Sequence, residues 1–299
     1  MRKLPNPLQD LYMECASGTM REKDETLGPF PKLIDIELTN RCNYTCVMCP
    51  TGQGRVERAK GDMSEHTLLK VLDEAADHGT AIRYIRWGEP MLSPLLDTAI
   101  IETRQRGLIC HINTNGSLVD MEWSHFFVFS GLDSIKFSFQ GVDERTYRLM
   151  RNSVGYRDLL SKIKMLHDFR EHMRADNPFI QIGTTITTEP DTVIETFKAE
   201  VDSICDALYI GKTRDLRVET PSSSYCECPE VFNKLSVNWD GSVTACCGDY
   251  DNFMLIGNLE SQSLEEIWNG KPLQEIRNKL IEYRHGDYYL CSRCARSLL

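Results

Sequence analysis

From residue 32 to about 210, short apolar runs of strand length alternate with segments of helical periodicity. No other feature restricts the fold as strongly. "KLIDIELT" (32–39) reads as a strand. "SEHTLLKVLDEAADHG" follows, with Ser64 as N-cap and Gly79 as stop, and Leu68, Leu69, Val71, Leu72, Ala75 and Ala76 recur at helical spacing. Further strands are read in "AIRYIRW", "LICHINTNG", "DSIKFSFQG", "FIQIGTTIT" and "DALYIG". Helices are read in "PLLDTAIIETRQRG", in the text after Gly141 to about 172, and in "DTVIETFKAEVDSI". Roughly six strand–helix units imply an α/β fold, a parallel sheet with helices outside. A closed barrel of this type takes eight units, so an open, partial (β/α)6 barrel is expected. Functional residues then belong on loops at the carboxyl ends of strands.

The flanks read differently. Residues 1–31 hold four prolines and mixed charge, and are taken as a lead-in to a barrel over 32–215. Over 216–299 the strand–helix alternation stops. "KLSVNWDGSVTA" reads as a hairpin around Asp240-Gly241. Ser263 and Glu266 form a capping-box start, and another helix follows Pro272. This region is expected to be a small cysteine-rich appendage rather than another strand–helix unit.

Net charge is −10, with no long basic run, which argues against nucleic acid as the partner. It is compatible with a cationic or neutral ligand, and equally with plain solubility. The start, "MRKLPNPLQD", has no signal-type apolar core, and "FFVFSGL" (126–132) is too short to span a bilayer. A cytoplasmic protein is expected. Its twelve cysteines then point to metal or redox chemistry rather than disulfides.

Cys42, Cys46 and Cys49 follow the first strand at spacing x3 and x2. Three thiolates suit an iron–sulfur cluster with one iron left open for chemistry. The alternative is a zinc site completed by a distant histidine. "CNYTCVMC" resembles the cysteine motif of the radical S-adenosylmethionine (SAM) superfamily. That resemblance implies a [4Fe–4S] cluster whose open iron binds SAM, and cleavage of SAM to a 5′-deoxyadenosyl radical on reduction. It also implies an external one-electron donor such as flavodoxin or ferredoxin. Met48 stands where many members carry an aromatic residue near the adenine. "WGEP" resembles the family's Gly-Gly-Glu motif, with Trp87 in place of the first glycine. By that likeness Glu89 accepts from the SAM ammonium and Gly88 permits close backbone approach. Asn115 in "NTNG" is a candidate SAM contact or a turn residue. Ser138 and Gln140 in "FSFQG" share one strand face and are candidate SAM or substrate contacts, or polar barrel-interior residues. Thr185, Thr187 and Lys212 are weaker candidates on the last two strands.

Cys228, Cys246, Cys291 and Cys294 form a second group. Their spacing resembles the shortened SPASM domain called twitch, which implies one auxiliary [4Fe–4S] cluster held by all four. An all-cysteine zinc site fits the same spacing. Cys226 is a bystander or a replacement ligand. Cys247 follows a ligand directly, and in extended backbone its thiol points the other way. It is read as a hydrogen-atom donor to a substrate radical, or as a small buried hydrophobe. Cys15, Cys110 and Cys205 are read as packing residues.

A chain with one auxiliary cluster resembles the epimerase and the dehydrogenase of aminoglycoside biosynthesis, which act on carbinol carbons of sugars or cyclitols. In the dehydrogenase type the substrate radical loses a proton and passes an electron to the auxiliary cluster. The epimerase type needs a hydrogen atom from the opposite face, and Cys247 favours it. The expected substrate is therefore a small carbohydrate or aminoglycoside. The enzymatic rival is maturation of a ribosomal peptide. A redox or sensor protein without catalysis is the rival from another class, and it leaves Glu89 unexplained.

Overall fold

Among the described residues nine strands form one sheet in the order β6-β5-β4-β3-β2-β1-β7-β8-β9, parallel from β6 through β7, antiparallel at β8 and β9, and not closed. The computed structural model describes residues 2–213 and 228–294. Helices α1 (Gln9–Ala16) and α2 (Met20–Glu25) precede β1 (Leu33–Ile36). Then come α3 (Glu65–Ala76), β2 (Ala81–Tyr84), α4 (Leu96–Gln105), β3 (Cys110–Thr114), α5 (Met121–Phe129) and β4 (Ser134–Ser138). The barrel part ends with α6 (Glu144–Arg151), α7 (Tyr156–His172), β5 (Phe179–Ile186), α8 (Asp191–Val201) and β6 (Ala207–Lys212). The expected N-cap holds, since the Ser64 side chain accepts from the Thr67 N–H at the start of α3. α5 was not anticipated, and the expected single helical stretch to 172 is broken between α6 and α7, where Asn152 has φ +52°.

The strands carry two chemistries. One face holds Ile34, Ile36, Ile82, Tyr84, Ile112, Ile135, Phe137, Ile180 and Ile182, which are buried in the main core. The other face holds Asp35, Arg83, His111, Ser134, Lys136 and Gln181. A parallel sheet is ordinarily apolar on both faces, so a polar inner face marks a place reserved for something other than packing. The lead-in segment has a structural job here. Leu8 packs with Leu33 and Ala81, and Leu11, Tyr12, Cys15 and Ile109 join them at the strands' amino ends. Tyr12 accepts a 3.1 Å hydrogen bond from Arg83. α1 thus covers the lower end of the inner face.

The cysteine-rich region does not stand apart as an appendage. β7 (Lys234–Val237) pairs in parallel with β1, and β8 (Ser242–Thr244) and β9 (Leu255–Asn258) extend the sheet antiparallel. The chain leaves β6 at one edge and re-enters beside β1. The β7–β8 hairpin is the one read from the sequence, whereas β9 was not. α9 (Leu264–Trp268) has the expected capping box of Ser263 and Glu266, and α10 (Lys271–Ile281) follows. No helix among the described residues is long and apolar enough to cross a membrane.

Candidate active site and its cysteine groups

A cavity of about 310 Å³ opens at the carboxyl ends of the first four strands. Cys42, Cys46, Met48, Cys49, Gly88, Glu89, Asn115, Ser138 and Gln140 all line it, so residues up to 98 positions apart in sequence meet there. A larger opening of about 450 Å³ lies beside β6, where Lys3 and Asp202 pair with each other at 3.2 Å. It holds none of this chemistry.

Glu89 is buried, and three neutral donors hold its carboxylate. Thr114 Oγ1 donates to Oε1 at 2.7 Å, the Asn115 N–H to Oε2 at 2.7 Å, and the Met91 N–H to Oε1 at 3.2 Å. Burial pushes its pKa above the ordinary carboxylate range, although these donors pull the other way. Gly88 is required by the chain itself. A Cβ there would fall 2.0 Å from the Thr39 carbonyl oxygen. The close approach is thus the loop after β1, which brings the cysteine segment against the end of β2. The Asn115 side chain is committed: its Nδ2 donates to Asn43 at 2.8 Å and its Oδ1 accepts from Ser117. It ties the cysteine loop to the end of β3. Thr185 bonds Thr213, Thr187 bonds Glu189, and neither these two nor Lys212 lines the cavity.

Arg151, at the end of α6, was not read from the sequence. Its Nη1 lies 3.6 Å from Cys46 Sγ and 2.8 Å from Gln140 Oε1, and its Nη2 donates to the Ser138 carbonyl at 2.5 Å. Gln140, at φ +58°, breaks the alternation that was to align its side chain with Ser138. The guanidinium is buried and stands 5.0 Å over the Tyr44 ring. Nothing local marks an arginine more than 100 residues from the cysteines as their counter-charge.

The three thiols fit an iron–sulfur group in donor chemistry and in surroundings. They line the cavity rather than converge on a point, and among the described residues no group of three or more His, Cys, Asp or Glu is close enough for a single metal ion. Burial pushes Cys42 up to about 11 and raises Cys46 as well, so a cation must displace their protons. Arg151 offsets part of the resulting negative charge.

In the second group, Cys228 is within electrostatic reach of Cys247 and Cys291, and Cys291 of Cys294. Burial pushes Cys228 and Cys291 up to about 12. None of the described cysteines is in a disulfide, and Cys226 lies outside the described residues. Cys110 and Cys205 are buried in the core, and Cys15 packs under the strands. Cys246 and Cys247 lie outside β8, and Cys247 is in a turn rather than in the extended backbone that was expected. They open a turn in which the Asp249 N–H donates to the Cys246 carbonyl at 3.1 Å. The Cys247 thiol therefore hydrogen-bonds that of Cys246 and raises its pKa. Cys247 also acts on the ammonium of Lys234, which bonds Asp35 on the inner face at 3.1 Å.

Two residues of "WGEP" and its approach fasten this turn to the cavity. Arg86 donates to the carbonyls of Cys246 at 3.3 Å and Asp249 at 3.0 Å, and to Asn238 at 2.8 Å. Trp87 Nε1 donates to the Asp249 carbonyl at 2.8 Å. The departure from a double glycine thus supplies one of the bonds between the cavity and the turn after Cys246.

Residues 36–186 match the radical SAM superfamily, and residues 226–295 match SPASM, an iron–sulfur cluster-binding domain. The first match implies SAM and a [4Fe–4S] cluster, and the second implies auxiliary iron–sulfur binding in place of zinc. A tungsten-containing aldehyde ferredoxin oxidoreductase cofactor-modifying protein from Pyrococcus furiosus is 24% identical, over 87% of each chain. An S-adenosyl-L-methionine-dependent 2-deoxy-scyllo-inosamine dehydrogenase from Niallia circulans is 23% identical, over 88% of this chain and 92% of its own. Among solved structures, Streptococcus suis SuiB bound to precursor peptide SuiA superposes with TM-score 0.71 at 14% identity, covering 98% of this chain and 80% of its own. With the cysteine loop, the buried acid and the open parallel sheet in place, the chain belongs to the radical SAM superfamily, carrying its fold and a C-terminal SPASM domain.

Proposed function

We propose that this enzyme removes a hydrogen atom from a carbinol carbon of a sugar- or cyclitol-type substrate and returns one to the opposite face from the Cys247 thiol, epimerising that carbon. The observation that carries this reading is the place of Cys247. Its thiol is within electrostatic reach of Cys246, Cys228 and the inner-face Lys234. When bound and reduced, the first cluster and SAM supply the 5′-deoxyadenosyl radical that takes the hydrogen atom, and the auxiliary cluster supplies a one-electron store.

The residues divide the remaining work. Cys42, Cys46 and Cys49 hold the first cluster, and Arg151 balances its thiolates. Cys228, Cys246, Cys291 and Cys294 hold the auxiliary one. Glu89 accepts from the SAM ammonium, Met48 and the Gly88 backbone border the same space, and Ser138 and Gln140 line it beside Arg151. Asn115 serves as a positioning residue through Asn43. Cys247 gives its S–H hydrogen atom to the substrate radical and is restored by one electron and one solvent proton. Each turnover then consumes one SAM, two electrons and one proton.

In heavy water, the inverted carbon is expected to carry one deuterium, because the Cys247 thiol exchanges with solvent. A second reading, dehydrogenation, is favoured by the inosamine dehydrogenase relative, which matches along nearly the whole chain. There the substrate radical gives up a proton and an electron, and leaves as a ketone with no deuterium at that carbon. Mass spectrometry of the product decides: a ketone overturns the epimerase reading.

Glu89→Gln tests the SAM site. The amide nitrogen would face a donor now satisfied by the carboxylate, and the charge would be gone. Loss of a charge-assisted bond is expected to weaken SAM binding about 10- to 100-fold, measured by equilibrium dialysis near neutral pH. Wild-type affinity is also expected to fall as pH is lowered through the raised Glu89 pKa, because the proton competes with the SAM ammonium. The glutamine variant should lack that dependence. An unchanged affinity would remove Glu89 from the SAM site.

A further inference from the structure

The inner face carries one cation with no assigned work. Lys136 stands mid-strand on β4, between Ser134 and Ser138 on the same face, and its Cα partners are Asn113 on β3 and Gln181 on β5. Its ammonium has no hydrogen bond and no ion pair among the described residues. The side chain lies across Gly183, where a Cβ would fall 2.4 Å from Lys136 Cε. That position on β5 thus leaves room for the lysine and for nothing larger than hydrogen. The ammonium points over the Tyr209 ring of β6, 5.7 Å from its centroid. The Gln181 amide and the Tyr209 hydroxyl beside it are likewise without hydrogen-bond partners among the described residues.

The acids of this face are taken. Asp35 pairs with Arg83 at 2.6 Å and with Lys234 at 3.1 Å, Lys234 also holds Glu230, and Glu37 pairs with Arg58 at 2.9 Å. His111 is neutral, since burial and then Arg83 lower its pKa to about 3. Burial, and then the nearby Arg83 charge, also lower the pKa of Lys136, and no acid opposes them. The chain bears net charge −10, yet Lys136, beside the exposed Tyr209, adds a positive charge to this face that no acid among the described residues pairs. A half-buried cation without an ion pair costs stability, and it persists where a ligand brings the counter-charge.

We infer that Lys136, with Gln181 and Tyr209, receives an anionic group of the substrate, a phosphate or a carboxylate. Lys136 lies two residues below Ser138, a drop of about 6.6 Å along the strand. An anion held at Lys136 leaves the rest of the substrate to extend toward the cavity that Ser138 lines. The inference rests on the hydrogen-abstraction reading above and narrows its substrate to a sugar phosphate or sugar acid. A polycationic aminoglycoside would meet the surplus positive charge.

The test uses the anaerobic, reconstituted holoenzyme with SAM. Lys136 acetylation by acetic anhydride is followed by mass spectrometry in the presence of glucose 1-phosphate, glucuronate, glucose or kanamycin. Protection by at least one anionic sugar is expected, about 10-fold or more at concentrations where glucose and kanamycin give none. The phosphate and carboxylate arms separate the two sources. In Lys136→Gln, the affinity for the protecting sugar should fall by about the same factor, with the cluster absorption spectrum unchanged. Equal protection by glucose or kanamycin, or none by either anion, overturns the inference, as does unchanged affinity in the variant. Release of 5′-deoxyadenosine is scored separately. Protection without release keeps the anion site and counts against the hydrogen-abstraction reading. Release triggered by kanamycin without protection does the reverse.

Discussion

Cys247→Ala is expected to keep releasing 5′-deoxyadenosine and to lose the epimer, with product per SAM consumed falling at least about 100-fold. The substitution removes the donor and its thiol hydrogen bond to Cys246, and leaves the backbone in place. The turn that presents position 247 is held by backbone bonds and by Arg86, and Ala disturbs neither. Hydrogen abstraction precedes the donor's step, so SAM cleavage should stay within a factor of a few of the wild type. The substrate radical then has no nearby S–H bond, and a ketone or unproductive cleavage replaces the epimer. Chromatography of 5′-deoxyadenosine and product from the same reaction separates the outcomes. Intact epimer formation in the variant would return Cys247 to a packing role.

Arg58→Met is expected to cost about 3–5 kcal/mol of stability. Arg58 makes a two-pronged bond with Glu37, 2.9 Å on each arm, and both side chains are almost wholly buried. Its Nε donates to the Tyr250 carbonyl at 2.9 Å, and its own N–H donates to Asp251 at 2.8 Å. One arginine therefore joins the stretch after the first cysteine motif, β1's extension and the turn after Cys247. Methionine keeps the volume but leaves Glu37 charged and nearly alone in the interior, with only a 3.5 Å contact from the Trp239 N–H. The cost should show as a lower urea midpoint of the anaerobic holoprotein at unchanged m. Glu37→Met/Arg58→Met should recover most of the loss, because the penalty lies in the unpaired charge. A single variant within about 1 kcal/mol of wild type would mean that water reaches Glu37.

Much of this was legible residue by residue. The cysteine spacing after a strand, the acid at the end of the next strand and the Ser64 and Ser263 caps are local signals, set by what neighbours within a few positions can bond. Hydrophobic periodicity likewise marks the barrel's strands and most of its helices, because it records which face is buried. α5 escaped because "MEWSHFFVF" is apolar on nearly every side and shows no stripe. The break between α6 and α7 turns on the left-handed Asn152, a backbone choice with no composition signal of its own.

Sequence alone determined the alternation, the two cysteine groups and the family. Only tertiary structure decided that α1 covers the lower end of the inner face, that β7–β9 join the same sheet, that Arg151 faces Cys46, and that Cys247 sits in a turn within electrostatic reach of Lys234. It alone showed that the inner face of an acidic chain ends with an unmatched ammonium at Lys136. The physical reason is range. Caps, spacing and periodicity are fixed by covalent neighbours, whereas burial and charge balance are sums over side chains that meet only when distant strands come into register.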